Sequence, residues 1–70
     1  MKLTIIQRNL MDELVREIGT IGTDNSIECH KYEWRTVKSL IKKGLLALHE
    51  DEKWDVVPEH YEVKVLTNEY

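Results

Sequence analysis

The chain has 70 residues, of which 41% are hydrophobic and 33% charged, and its formal net charge is −3. This length predicts a single domain over residues 1–70 with a small core, which a homodimer would help to stabilise. The single cysteine excludes an internal disulfide, and the absence of any apolar run typical of a signal peptide or a membrane span predicts a cytoplasmic protein with no membrane partner.

The first predicted element is a helix over about residues 4–18. Thr4 and Gln7 have the spacing of a capping box, in which each side chain bonds the backbone amide of the other residue. Behind them an apolar residue recurs every four positions, at Ile6, Leu10, Leu14 and Ile18. Gly19 follows as a typical helix stop.

A turn-rich segment comes next. Gly22 and the Asp24-Asn25-Ser26 cluster are typical of turns and loops. Residues 27–29 are compatible with a very short strand or with the entry to the next helix, because periodicity cannot separate the two over so few positions. Both alternatives stay open at this point.

A second helix is predicted over about residues 30–43. Its apolar side is formed by Trp34, Val37, Leu40 and Ile41, and Gly44 ends it. On the opposite side Lys31, Arg35, Lys38 and Lys42 fall within roughly 60° of one another at 100° per residue. Residues 30–46 contain five of the ten basic residues and one glutamate, so this segment carries a charge of +4 in an acidic chain.

From Leu45 onward the apolar pattern changes to a period of two, which predicts strands over about residues 45–49 and 61–67. The charged run Glu50-Asp51-Glu52-Lys53 separates them, and Pro58 marks an edge or a turn. Residues 53–57 form either a third strand or a loop. The predicted fold class is therefore α+β: two helices followed by an antiparallel hairpin with a long tip, or by a three-stranded meander.

Two patterns in residues 34–67 carry a resemblance. The first, (S/T)-x-x-x-L-x-x-K-G-L-(I/L), is supplied by Thr36, Leu40, Lys43, Gly44, Leu45 and Leu46. The second, Tyr-x-Val/Leu-x-Leu-Thr, is approximated by Tyr61, Val63, Val65, Leu66 and Thr67. Together they resemble the recognition helix and β-hairpin wing of small winged helix-turn-helix DNA-binding domains of the bacterial and phage type. The chain departs from that family in leaving barely two turns for a further helix in residues 19–29, and in its acidic tip at residues 50–52.

The resemblance implies a transcriptional regulator that docks its second helix in the major groove of double-stranded DNA. The candidate nucleic-acid-binding residues are Lys31, Tyr32, Arg35, Lys38, Ser39, Lys42 and Lys43. The lysines suit phosphate contacts, Arg35 suits recognition of guanine, and Tyr32 or Ser39 suits further backbone or base contacts. The competing interpretation is that these charges form the solvated face of an amphipathic helix.

A second function class is a protein-interaction module of the winged-helix type with an acidic wing and no DNA binding. Its partner would contact residues 50–61, where the relevant hydrophobic residues are Trp54, Val56, Val57 and Tyr61. The alternative for these side chains is that the aromatic ones cover the small core.

An enzyme is not expected, and neither is a metal or another cofactor. The adjacent Cys29 and His30, with His49 and His60 far along the chain, do not match the spacing of zinc ligands. No phosphate-binding loop or serine elbow is present in the sequence. We expect Cys29 to pack as a small hydrophobic residue.

Overall fold

Two helices and a three-stranded antiparallel sheet make up the described part of the chain, which confirms the predicted α+β class. The structure is a computed structural model and describes residues 2–19, 25–49 and 54–70. The elements in chain order are α1 (Ile5–Ile18), β1 (Ile27–His30), a 3₁₀ turn (Lys31–Glu33), α2 (Trp34–Lys42), β2 (Leu46–Leu48) and β3 (His60–Val65).

Helix α1 begins and ends as its sequence predicts. The Gln7 amide donates to Thr4 Oγ1 at 3.1 Å, and the Thr4 amide donates to Gln7 Oε1 at 3.0 Å, so the capping box is complete. At the other end Gly19 adopts a left-handed conformation, with φ of 69°, and its amide bonds the carbonyl of Val15.

Strand β3 lies at the centre of the sheet, between β1 and β2. Ile27 pairs with Val63 and His30 with His60 on one side, while Leu46 pairs with Val65 on the other. The sheet is therefore neither a lone hairpin nor a meander, because its third strand comes from residues 27–30. The predicted strands at 45–49 and 61–67 are observed at 46–48 and 60–65, and residues 54–57 form no strand.

The prediction that the second helix starts at residue 30 is wrong, since α2 begins at Trp34. His30 is held in β1 by its pairing with His60, and the Lys31 amide donates to the carbonyl of Glu59 at 2.9 Å. These bonds to a distant segment hold the backbone extended through residue 30, so only a 3₁₀ turn precedes the helix.

The predicted end of α2 is confirmed. Gly44 has a φ of 79°, its amide bonds the carbonyl of Ile41, and the Leu45 amide bonds the carbonyl of Leu40. This is the Schellman arrangement, in which a left-handed residue satisfies the last carbonyls of a helix. The Leu45 side chain is buried beside the helix end, and β2 begins one residue later.

The core lies between the two helices and one face of the sheet. Alternate strand residues point inward, and the buried residues are Leu10, Met11, Leu14, Cys29, Val37, Leu40, Leu45, Leu46, Tyr61, Val63 and Val65. The opposite face of the sheet is polar. Within the described ranges, neither helix has the length and apolar character that crossing a membrane requires.

Candidate nucleic-acid interface

Three exposed cations form one line on α2: Arg35, Lys38 and Lys42, which we call the cationic stripe. Their spacing of three and four residues places them within about 60° on the helix surface. Val37 and Leu40 lie on the opposite side and are completely buried. The core therefore fixes the rotation of α2 so that the cationic stripe faces solvent.

Lys31 and Tyr32 lie outside the helix, on the 3₁₀ turn that precedes it, and both are exposed. Tyr32 is 85% exposed, its ring stacks on the His30 ring at 4.3 Å, and its amide donates to His30 Nδ1 at 3.2 Å. The prediction that Lys31 lies on one continuous helix with the cationic stripe is therefore wrong. Lys31 and Tyr32 nevertheless lie next to the N-terminal end of α2.

Ser39 and Lys43 bond within the molecule. Ser39 Oγ accepts from Gln7 Nε2 at 2.8 Å and donates to the carbonyl of Thr36 at 2.6 Å. The Lys43 ammonium donates to Gln7 Oε1 at 3.1 Å and to the carbonyl of Lys2 at 3.0 Å. These two candidate residues therefore join α2 to α1, and a contact with a ligand would compete with these bonds.

Gln7 bonds to the candidate residues of α2, and its sequence pattern revealed only part of this role. The capping box predicts its bond to Thr4, but its contacts with Ser39 and Lys43 span 32 and 36 residues. Gln7 is 9% exposed and is the one buried polar residue of the described ranges. Its bonds to Ser39 and Lys43 tie α2 to α1, in addition to the apolar packing that turns the cationic stripe towards solvent.

Negative charge flanks the cationic segment on two sides. Glu13 on α1 and Glu33 in the 3₁₀ turn line a groove beside the start of α2. Burial, with the charges of Glu13 and Glu17, raises the pKa of the Glu33 carboxyl, while the charge of His30 acts against this. On the outer face of the sheet Glu28 lies opposite Glu62. Phosphate would thus be repelled by these neighbouring surfaces and attracted mainly by α2 and Lys31.

Three of the four hydrophobic residues predicted for a protein partner pack on the core: Trp54, Val57 and Tyr61. Tyr61 is buried, and its ring lies 5.2 Å from that of Trp34 and 5.6 Å from that of Trp54. Val57 also packs on the core, whereas Val56 is 83% exposed. The acidic tip at residues 50–52 lies outside the described residues.

Cys29 is confirmed as a core residue, with 2% of its surface exposed. Burial and the charge of Glu33 raise the pKa of its thiol to about 12, so the thiol stays protonated and unreactive at neutral pH. No group of three or more His, Cys, Asp or Glu residues within 2–19, 25–49 and 54–70 is placed to hold a metal ion.

Comparison of the chain with protein-family models, with curated proteins and with solved structures found no match.

Proposed function

We propose that this chain is a small DNA-binding protein that regulates transcription by docking α2 in the major groove of double-stranded DNA. The observation that carries the proposal is the cationic stripe, exposed directly opposite the buried Val37 and Leu40. Helix α2 has nine residues and is about 13.5 Å long at 1.5 Å per residue. Its diameter of about 10–12 Å with side chains fits a major groove about 12 Å wide.

Each exposed cation has a distinct role in this proposal. Lys38 and Lys42 contact phosphates along the groove, and Lys31 contacts a phosphate at the N-terminal end of the helix. Arg35 is the base-reading residue, since a guanidinium can bond O6 and N7 of guanine together. Tyr32 adds a backbone contact, while Ser39 and Lys43 orient α2 through Gln7.

The resemblance to winged helix-turn-helix domains supports the proposal through the order of the elements. The helix that ends at Gly44 leads directly into the antiparallel pair of β2 and β3, as a recognition helix leads into its wing in that family. The N-terminal part differs, because β1 lies between α1 and α2 and residues 25–30 contain no further helix. Only a 3₁₀ turn separates β1 from α2. Few residues next to α2 would therefore contact the DNA phosphate backbone and support the docked helix. We therefore expect modest affinity from one copy, and a homodimer would double the contacts.

Salt dependence of binding tests the proposal. Four exposed cations, Lys31 and the cationic stripe, give a slope of log K against log salt of about −3.6 at −0.9 per phosphate contact. Affinity for a 20-base-pair mixed-sequence duplex should then fall about 150-fold between 50 and 200 mM salt. The variant Arg35→Gln/Lys38→Gln keeps two contacts, so its fall should be only about 12-fold, and fluorescence anisotropy of a labelled duplex measures both.

The matched control is Arg8→Gln/Arg16→Gln, which removes the same charge from exposed positions on α1. It should retain the slope of the unmodified chain if the cationic stripe carries binding. Equal slopes for the two double variants, or no binding at 50 mM salt, would exclude the proposed interface.

The second candidate function, a protein-interaction module that binds through residues 50–61, is favoured by the exposure of Val56. It predicts that Val56→Ser weakens binding to a basic protein partner and leaves DNA binding unchanged. Amide shifts on addition of duplex separate the two functions: DNA docking moves residues 31–43, whereas the alternative leaves these signals in place.

A further inference from the structure

A groove of about 380 Å³ runs between α1 and the start of α2. Ile6, Leu10 and Glu13 line it from α1, and Tyr32, Glu33 and Thr36 line it from the other side. Its volume is in the range of sites that bind small ligands or single side chains of a partner. Of these residues only Tyr32 belongs to the proposed DNA-binding set, so most of the groove has no role in that function.

The groove combines an apolar floor with exposed apolar walls. Leu10 is 9% exposed and forms part of the core, whereas Ile6 is 70% exposed and Tyr32 is 85% exposed. Ile6 lies one helical turn before Leu10, on the same side of α1. One face of the Tyr32 ring stacks on His30, so its high exposure leaves the other face open to a ligand.

The two charged residues that line the groove, Glu13 and Glu33, are both acidic. Neither Glu13 nor Glu33 forms an ion pair with a cationic side chain of residues 2–19, 25–49 or 54–70. Partial burial, with Glu13 and Glu17 nearby, raises the pKa of the Glu33 carboxyl, although His30 acts in the opposite direction. A cation placed between the two carboxylates would relieve this repulsion.

We propose that this groove binds a short segment of another protein that presents an arginine or lysine next to an apolar side chain. The cationic group lies between Glu13 and Glu33, where an arginine also stacks on the open face of Tyr32. The apolar neighbour covers Ile6 and Leu10. Charge complementarity selects this partner and excludes nucleic acid, because phosphate would meet two carboxylates.

An amide-shift titration of the full chain tests the proposal with two blocked ten-residue peptides. The first contains leucine, alanine and two arginines, and the second has citrulline in place of arginine, which keeps the shape and removes the charge. We expect the arginine peptide to shift residues 6–13 and 32–36, with at least tenfold weaker binding of the citrulline peptide. No shifts at millimolar peptide, or equal binding of both peptides, would overturn the proposal.

Variants separate this site from the cationic stripe. Glu13→Gln/Glu33→Gln should weaken the arginine peptide at least tenfold and leave DNA binding undiminished, whereas Arg35→Gln/Lys38→Gln should do the reverse. A distinct acidic groove would be refuted if Glu13→Gln/Glu33→Gln weakened DNA binding and left peptide binding intact. It would also be refuted if both double variants lost peptide binding. Circular dichroism checks that both variants are folded.

The ionisation of Glu33 provides a second readout. A bound cation should lower the pKa of its carboxyl. Carbon-13 titration of the Glu33 side chain, with and without the arginine peptide, measures this change. An unchanged Glu33 titration in the presence of saturating peptide places the peptide elsewhere and overturns the proposal. Concentration-dependent shifts of residues 6–13 without peptide would identify a second copy of this chain as the occupant, and would overturn it too.

Discussion

Replacing Gln7 by alanine should destabilise the domain more than any other single change to a polar side chain of α1. The side chain makes three bonds, to the Thr4 amide, to Ser39 Oγ and to the Lys43 ammonium. At a net value of about 1 kcal/mol for each bond, and since all three partners reach water in part, we expect a loss of about 2–3 kcal/mol. A domain of this size has a total stability of only about 4–10 kcal/mol.

Urea unfolding followed by circular dichroism measures this loss. With a slope of about 1 kcal/mol per molar urea for a small domain, the midpoint should fall by about 2–3 M. Asn9→Ala is the matched control, because it removes an exposed amide two residues further along the same helix. Gln7→Met separates the hydrogen bonds from the packing, since methionine fills a similar volume.

A double-mutant cycle with Ser39→Ala tests the contact between the helices directly. We expect the two changes to be non-additive, with a coupling energy of about 0.5–1.5 kcal/mol. The reasoning is refuted if Gln7→Ala costs no more than Asn9→Ala, or if the effects of the two substitutions simply add. Either result would mean that α2 is positioned by its apolar side alone.

Two further predictions concern backbone conformation and pH. Gly44→Ala should cost about 1 kcal/mol in the same urea assay, because its φ of 79° is unfavourable for alanine. No neighbouring atom lies within 4 Å of the added Cβ, so a steric clash does not contribute. An unchanged urea midpoint would contradict this conformational cost. Cys29 has a folded pKa of about 12 against an ordinary value of 9.0, so its stabilising effect is complete below about pH 9 and is lost as pH rises towards 12. Cys29→Ala should therefore flatten the fall in stability above pH 9, and parallel curves for the two proteins would argue against a buried, protonated thiol.

Local signals predicted the helix ends well. The capping box at Thr4, the left-handed Gly19 and the helix stop at Gly44 act over three to five residues, and each appears where the sequence places it. The start of α2 depends instead on the pairing of His30 with His60, thirty residues away. A helical period in residues 30–33 cannot reveal a competing strand partner at that distance.

The candidate site divides in the same way. Exposure of Arg35, Lys38 and Lys42 follows from the apolar positions of their own helix, so the periodicity was sufficient to predict it. The bonds that occupy Ser39 and Lys43 depend on how α1 packs across α2, which no local pattern determines. Sequence periodicity thus identifies which side chains face solvent. Tertiary packing decides which of those side chains remain available to bind a ligand.

The central position of β3 has a consequence for synthesis of the chain. Every pairing in the described sheet includes a residue of β3, although β3 is synthesised after all the other described elements. Until residues 60–65 emerge, β1 and β2 lack the strand with which they pair, and only the helices can begin to form. A nascent chain arrested before residue 60 should thus be helical at most and sensitive to protease, and acquire its fold in one late step.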